Sequence, residues 1–161
     1  AGTMVLLIRR AQALMEAAGD DGDFDALCQQ LHRYQATLRT CFTLENFDNL
    51  IKNGRMRPIV GTLLRSLGIH IIADATAEGT IHVADKARGV GKTYRAITAL
   101  MKASKDCTDA EVVISHCENL EGAMALKRQI LADLPVKQVD LLSCRGLTSF
   151  YAMEKGLIVG Y

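Results

Sequence analysis

Residues 50–89, LIKNGRMRPIVGTLLRSLGIHIIADATAEGTIHVADKARG, are the stretch whose reading decides the fold. Leu50 and Ile51 close an amphipathic helix, and Gly54 stops it, because glycine most readily takes the left-handed turn that ends a helix. Arg55 follows the stop. Residues 58–67 read as a second helix and residues 69–73 as an apolar strand. A turn is expected at Glu78-Gly79, then a strand over 80–83 and a basic corner at Lys86-Ala87-Arg88-Gly89.

Working outward, residues 4–18 carry apolar side chains at 4, 7, 8, 11, 14, 15 and 18, the three-and-four spacing of one helical face. Gly19 ends that helix, and Asp20-Asp21-Gly22-Asp23 forms a turn that also caps a second helix over 24–35. Leu38, Thr40 and Phe42 alternate in a strand over 37–43, and Phe47 joins Leu50 and Ile51 on the helix that follows. After Gly89 helices are expected over 93–104 and 119–134, and strands over 111–115, 136–142 and 157–161. A segment containing Gly146 leads into the last of these. Helices and strands alternate throughout this half, so the fold class is α/β, a mixed β-sheet covered by helices.

The bulk properties narrow the function. A chain of 161 residues, 49% hydrophobic and 23% charged, buries one sizeable core. A net charge of +1 argues against a general nucleic-acid binder, which needs a concentrated basic face. No apolar run is long enough to span a membrane, and the first residues do not show a signal peptide's charged, apolar and cleavage regions in order. Five cysteines, odd in number and without a C-x-x-C pair, suit a reducing cytoplasm and lack the spacing of a zinc site.

Several local patterns carry more than one chemistry. Gly89-Val90-Gly91-Lys92-Thr93 follows a strand and opens a helix, as a phosphate loop does, but Lys86 stands where the full pattern requires its first glycine. An enzyme domain binding phosphate or nucleotide through Gly91-Lys92-Thr93 is therefore one alternative, and a ligand-free interaction module is another. Lys86, Arg88, Lys92 and Arg95 form a basic cluster, either a solvated face or a docking surface for an acidic partner. Arg55, just past a helix end, either neutralises the helix terminus or offers its planar fork to a carboxylate or acyl phosphate. Cys144 beside Arg145 is either an activated thiolate or an inert thiol. Without a neighbouring histidine or acid the inert reading is favoured.

The stretch resembles the middle of the DegV family, whose signature runs Gly-Gly-Arg-Ile, a helix, Ile-Lys-Pro-Ile, a glycine turn and Lys-x-Arg-Gly. The corresponding words are Asn53-Gly54-Arg55-Met56, Gly68-Ile69-His70-Ile71-Ile72 and Lys86-Ala87-Arg88-Gly89. His116-Cys117-Glu118-Asn119 is similar to the family's His-Ala-Asp/Asn segment before a helix, and Met4-Val5-Leu6-Leu7 with the Gly19 break is similar to the helical pair ahead of the carboxyl-terminal half. Where many members have Gly-Thr-His-Thr-Gly-Pro-Gly, this chain has the variant Ser143-Cys144-Arg145-Gly146-Leu147-Thr148-Ser149-Phe150-Tyr151, with Tyr151 at the histidine's place.

The resemblance implies a fatty-acid-binding protein and not an enzyme by itself, with a long-chain fatty acid as ligand and neither cofactor nor metal. It places the ligand's head group near Arg55, Tyr151, Ser149 and Arg145. The acyl chain would lie along Ile59, Leu63, Leu64, Leu67, Ile69 and Ile71, each buried methylene contributing about 0.8 kcal/mol. A fatty-acid kinase is the implied partner, docking at Lys86, Arg88 and Lys92. Residues 1–36 would be a helical pair leading from an amino-terminal lobe, and residues 37–161 the carboxyl-terminal domain. On this expectation the chain is the carboxyl-terminal part of a longer protein, whose other lobe supplies a threonine and a serine to the carboxylate. The first helix would then expose Leu7, Ile8 or Leu14, or bury them in a homodimer.

Overall fold

Side chains alternate along the strand β1, Thr40–Leu44, and that alternation divides the molecule into two apolar layers. Cys41 belongs to one buried cluster, and Leu44, with Phe42 against it, to the other. The computed structural model describes residues 2–20, 22–56, 68–76 and 80–161. The expected helix over 58–67, with Ile59, Leu63, Leu64 and Leu67, and the turn at Glu78-Gly79 lie outside the described residues.

Around β1 the chain builds a mixed six-stranded sheet from β2 (Ile69–Ala75), β3 (Ile81–Arg88), β4 (Glu111–His116), β5 (Gln138–Ser143) and β6 (Leu157–Gly160), in the order β3-β2-β1-β6-β4-β5. β4 and β5 run parallel and the other neighbours antiparallel, with Leu44 opposite Ile71 on one side of β1 and Thr43 opposite Leu157 on the other. The α/β expectation stands. β3 differs: it continues to Arg88 instead of ending at Val83, because the ladder slips between its pairings with Ile72 and Ala73. Such a bulge places an extra residue in one strand and breaks the two-residue alternation on which the strand is recognised. Lys86 and Arg88 therefore lie on an edge strand, not on a corner.

One sheet face is covered by α4 (Val90–Ser104) and α5 (Leu120–Asp133). Their helical spacing delivers Ile97, Met101, Leu126 and Ile130 onto Ile72, Val112, Ile114 and Val159. Asn119 starts α5 by accepting from the Gly122 amide at 3.1 Å, while its own amide group donates to the Lys155 carbonyl at 2.8 Å. The same residue thus caps a helix and fastens the loop before β6.

The opposite face is shared. α1 (Gly2–Ala18) lies over β4 and β6 and buries Leu6. Its approach depends on glycine, since a Cβ on Gly160 would fall 2.3 Å from the Thr3 nitrogen. Arg9 adds an ion pair with Asp140 at 2.6 Å. α2 (Phe24–Thr37) packs on α1 and is capped by Asp23, whose carboxylate accepts from the Asp25 and Ala26 amides. Of the three residues expected to be exposed on the first helix, Ile8 is exposed and Leu7 and Leu14 are half-buried; Met4, Met15 and, on α2, Phe24 are exposed as well. The remainder of this face lies under two short helices, α3 (Asp48–Lys52) and α6 (Gly146–Ala152).

Candidate ligand-binding groove

Between α3, α6 and the sheet the structure holds an open groove of about 530 Å³. Phe42 and Leu44 of β1, Ile158 of β6 and Ile81 of β3 line it from the sheet, and Leu50, Tyr151 and Ala152 from the helices. Gly54, Arg55 and Thr80 complete the described lining, so that Arg55 is the one charged residue among them. A mostly apolar trough with one cation among its described residues suits an amphiphile bearing a negative head.

The backbone around Arg55 is fixed from both sides. Gly54 adopts φ 69°, its amide donates to the Ile51 carbonyl at 3.0 Å, and the Arg55 amide donates to the Leu50 carbonyl at 2.8 Å. This paired closure of a helix end needs a left-handed residue, which glycine takes without steric cost. Met56 is then buried in the cluster beneath the groove. The exposed Arg55 side chain therefore leaves from a tethered point, with its guanidinium carbon 4.4 Å from the centre of the Tyr151 ring.

Tyr151 is supported in turn. Phe150 meets its ring edge-on at 5.0 Å and 78°, and the Phe150 carbonyl accepts from the Asn49 side-chain amide at 2.6 Å, joining α6 to α3. The sequence offered little warning of α6. Glycine opens it and threonine and serine fill its middle, all poor helix formers, and its seven residues are too few for a clear period.

Of the four residues expected at a ligand head group, the structure brings Arg55 and Tyr151 together although they lie far apart in sequence. Ser149 and Arg145 stand elsewhere. The Ser149 hydroxyl donates back to the Gly146 carbonyl at 3.1 Å, and Arg145 is exposed at the start of α6, outside the groove lining. The strand residues proposed for the acyl chain sit on the groove's side of the sheet but do not line it: Ile71 is fully buried in the underlying cluster and Ile69 packs half-buried against it. Phe42, Leu44, Ile81 and Ile158 line it instead. Phe42 was visible as an apolar alternating position in the sequence, but its choice of face was not.

The basic residues divide. Lys86 and Arg88 pair across the ladder with Ile71 and Ile69, which points them to the groove side of the sheet, while Lys92 is exposed on the first turn of α4, the helix covering the other side. At that turn the Thr93 hydroxyl donates to the Gly89 carbonyl at 3.0 Å and is buried, so it is committed to the helix start. A cavity of about 260 Å³ beside it is lined by Glu45 and Glu121 as well as Lys155, carboxylates that would repel a phosphate. Burial pushes the Cys144 thiol up to about 11, with the neighbouring Cys117 adding to the rise, which leaves it a poor nucleophile. Among the described residues no group of histidine, cysteine and carboxylate side chains could hold a metal ion.

Residues 3–157 match the model of a family described as uncharacterised proteins of the DegV family. The chain belongs to the DegV family. DegV domain-containing proteins of Streptococcus gordonii and Streptococcus pneumoniae serotype 4 are 30% and 32% identical to it, each alignment covering 99% of this chain and 56% of the relative. It thus spans about half the length of the DegV relatives it matches. Among solved structures, the Streptococcus pneumoniae fatty acid kinase (Fak) B3 protein loaded with linoleic acid superposes with a TM-score of 0.89 at 30% identity, over 99% of this chain and 56% of that one. A DegV family protein from Eubacterium eligens loaded with heptadecanoic acid superposes at 0.88 with 25% identity, covering 98% and 55%. A DegV protein from Ruminococcus gnavus, refined with vaccenic acid, gives 0.86 at 28% identity over 98% and 55%.

Proposed function

We propose that this chain binds a long-chain fatty acid, its hydrocarbon tail in the groove beside β1 and its carboxylate at the Arg55 end. The groove lining is the observation that carries this reading: among the described residues it is mostly apolar, with one guanidinium. Each methylene taken from water contributes about 0.8 kcal/mol, so a long tail binds with few polar contacts. The carboxylate gains by meeting a planar donor at the mouth, since burying it unpaired costs several kcal/mol. Similarity to proteins crystallised with linoleic, heptadecanoic and vaccenic acids supports the same ligand class here.

The finer reading is that the bound carboxylate is presented to a fatty-acid kinase. Lys86 and Arg88 share the groove's side of the sheet and offer an acidic partner a place to dock. Lys92, on the far side, does not belong to that surface. In the whole protein an amino-terminal lobe would add hydroxyl donors to the same carboxylate.

The test is to express the protein at the length its gene encodes, purify it gently, and extract bound lipid for mass spectrometry. One long-chain fatty acid per chain is expected. Protein that emerges empty and then takes up no linoleate overturns the reading.

A further inference from the structure

We propose that Tyr151 serves the groove through the face of its ring: it is a positioning residue that holds the Arg55 guanidinium flat, leaving the guanidinium's edges free for a carboxylate. The inference rests on the fatty-acid reading and adds to it a division of labour between the two residues. By the family resemblance Tyr151 is a residue that meets the ligand's head group itself. The geometry assigns it another task.

Arg55 lies over the ring with its guanidinium carbon 4.4 Å from the centroid, well inside the distance at which a cation is held by an aromatic face. A guanidinium carries its N–H donors around its rim, in the plane, so contact through one flat face removes none of them from a ligand. Among the described residues no carboxylate lies within ion-pair distance of Arg55. Among those residues the contact given for the exposed Arg55 guanidinium is the Tyr151 ring, which orients it without neutralising it. A carboxylate partner in the ring's place would compete with the ligand for the same fork.

The ring itself cannot easily yield. Phe150 abuts it edge-on, α6 is tied to α3 by the bond from Asn49 to the Phe150 carbonyl, and Tyr151 packs half-buried against the core cluster on this face. The Arg55 backbone is tethered independently by the closure at Gly54 and the burial of Met56. Both ends of the stack are thus anchored, and the flexible stem of Arg55 spans a fixed gap. An arginine ordered before binding loses less side-chain freedom when the ligand arrives.

Two readouts test this in the gene-length protein. The first needs no ligand: aromatic ring currents should displace the Arg55 side-chain N–H and Cδ–H NMR signals from their usual positions. Tyr151→Phe should retain that displacement and Tyr151→Leu should abolish it. The second is linoleate affinity, measured by displacement of a fluorescent fatty acid. Tyr151→Phe should stay within about twofold of the parent and Tyr151→Leu should weaken binding by about tenfold, equivalent to about 1.4 kcal/mol. Arg55→Lys, which keeps the charge but loses the planar stack and the fork, should fall with Tyr151→Leu.

If Tyr151→Phe loses as much affinity as Tyr151→Leu, the hydroxyl is the working group and the proposal is overturned. Displaced Arg55 signals absent from the parent protein also overturn it, and they leave fatty-acid binding untouched. A parent that shows the stack but binds no linoleate overturns both the lipid reading and the purpose given to the stack. Should Tyr151→Leu fail to fold, Tyr151→Phe with Arg55→Lys still separates ring face from hydroxyl.

Discussion

Arg55 occupies a position where one charge meets a mostly apolar wall, and its removal should be felt by the ligand far more than by the fold. In the gene-length protein Arg55→Ala is expected to weaken linoleate binding by about 1.5–3 kcal/mol, the range for a charge-assisted hydrogen bond. The tail should still bind, so titration should find weakened rather than abolished affinity, with the melting temperature nearly unchanged because the side chain is exposed. Cys144 makes a different prediction. Its thiol is held protonated in the fold from the ordinary value of 9.0 up to about 11. Between those limits the folded chain binds more protons than the unfolded one, so stability is fully present below about pH 9 and declines as pH rises toward 11. Burial also raises Cys41, from the same ordinary value of 9.0, and Tyr161, from 10.0, which steepens the decline across this range. Thermal melts from pH 8 upward should show this loss, and Cys144→Ala should make it shallower.

At the scale of elements, the crossing of α1 over the sheet is set by a glycine with no room for a side chain. Gly160→Ala would bring its Cβ to 2.3 Å from the Thr3 nitrogen, a backbone atom that cannot swing aside. A loss of about 1–3 kcal/mol is expected from such overpacking, visible as a lower denaturant midpoint, with α1 and α2 losing amide protection first. Elements of this kind also mark how far the sequence could be read. The helices α1, α4 and α5 were legible because each is long and keeps its apolar period, and β4 because it is a continuous apolar run. β3 was cut short because its bulge interrupts the alternation, and α6 went unassigned because seven residues of weak helix formers carry no period. The meeting of Arg55 with Tyr151 came from the family resemblance. The spacing of the residues could not have given it, since neither residue carries information about the other's place. Ile69 and Ile71 were assigned to the groove because an apolar strand residue looks the same whether it faces a ligand or the core.

For the whole molecule, the sheet separates charges that sit close together in the sequence. Lys86 and Arg88 look out on the groove's side and Lys92 belongs to the helix covering the reverse. If an acidic partner docks on the groove's side of the sheet, the double reversal Lys86→Glu and Arg88→Glu should slow phosphorylation of bound fatty acid at low salt by at least tenfold, while linoleate affinity is unchanged. Lys92→Glu should have little effect. Electrostatic contacts of this sort act chiefly on association rate and fade as salt is added. Equal effects from all three positions would place the partner elsewhere.

The groove end of one sheet face, beyond α1, has a much shorter cover than the opposite face. α4 and α5 extend over 15 and 14 residues, whereas α3 and α6 have 5 and 7. A helix of one or two turns holds little of its own structure in water and depends on what lies beneath it. The groove side should therefore be the first to breathe, with the other layer still intact. Hydrogen–deuterium exchange should show the amides of α3 and α6 exchanging through low-energy openings while those of α4 and β4 exchange only through global unfolding. In such a molecule the entry route for a long hydrocarbon need not be a permanent portal: brief lifting of the short helices would open one, and closing them again would seal the tail against β1.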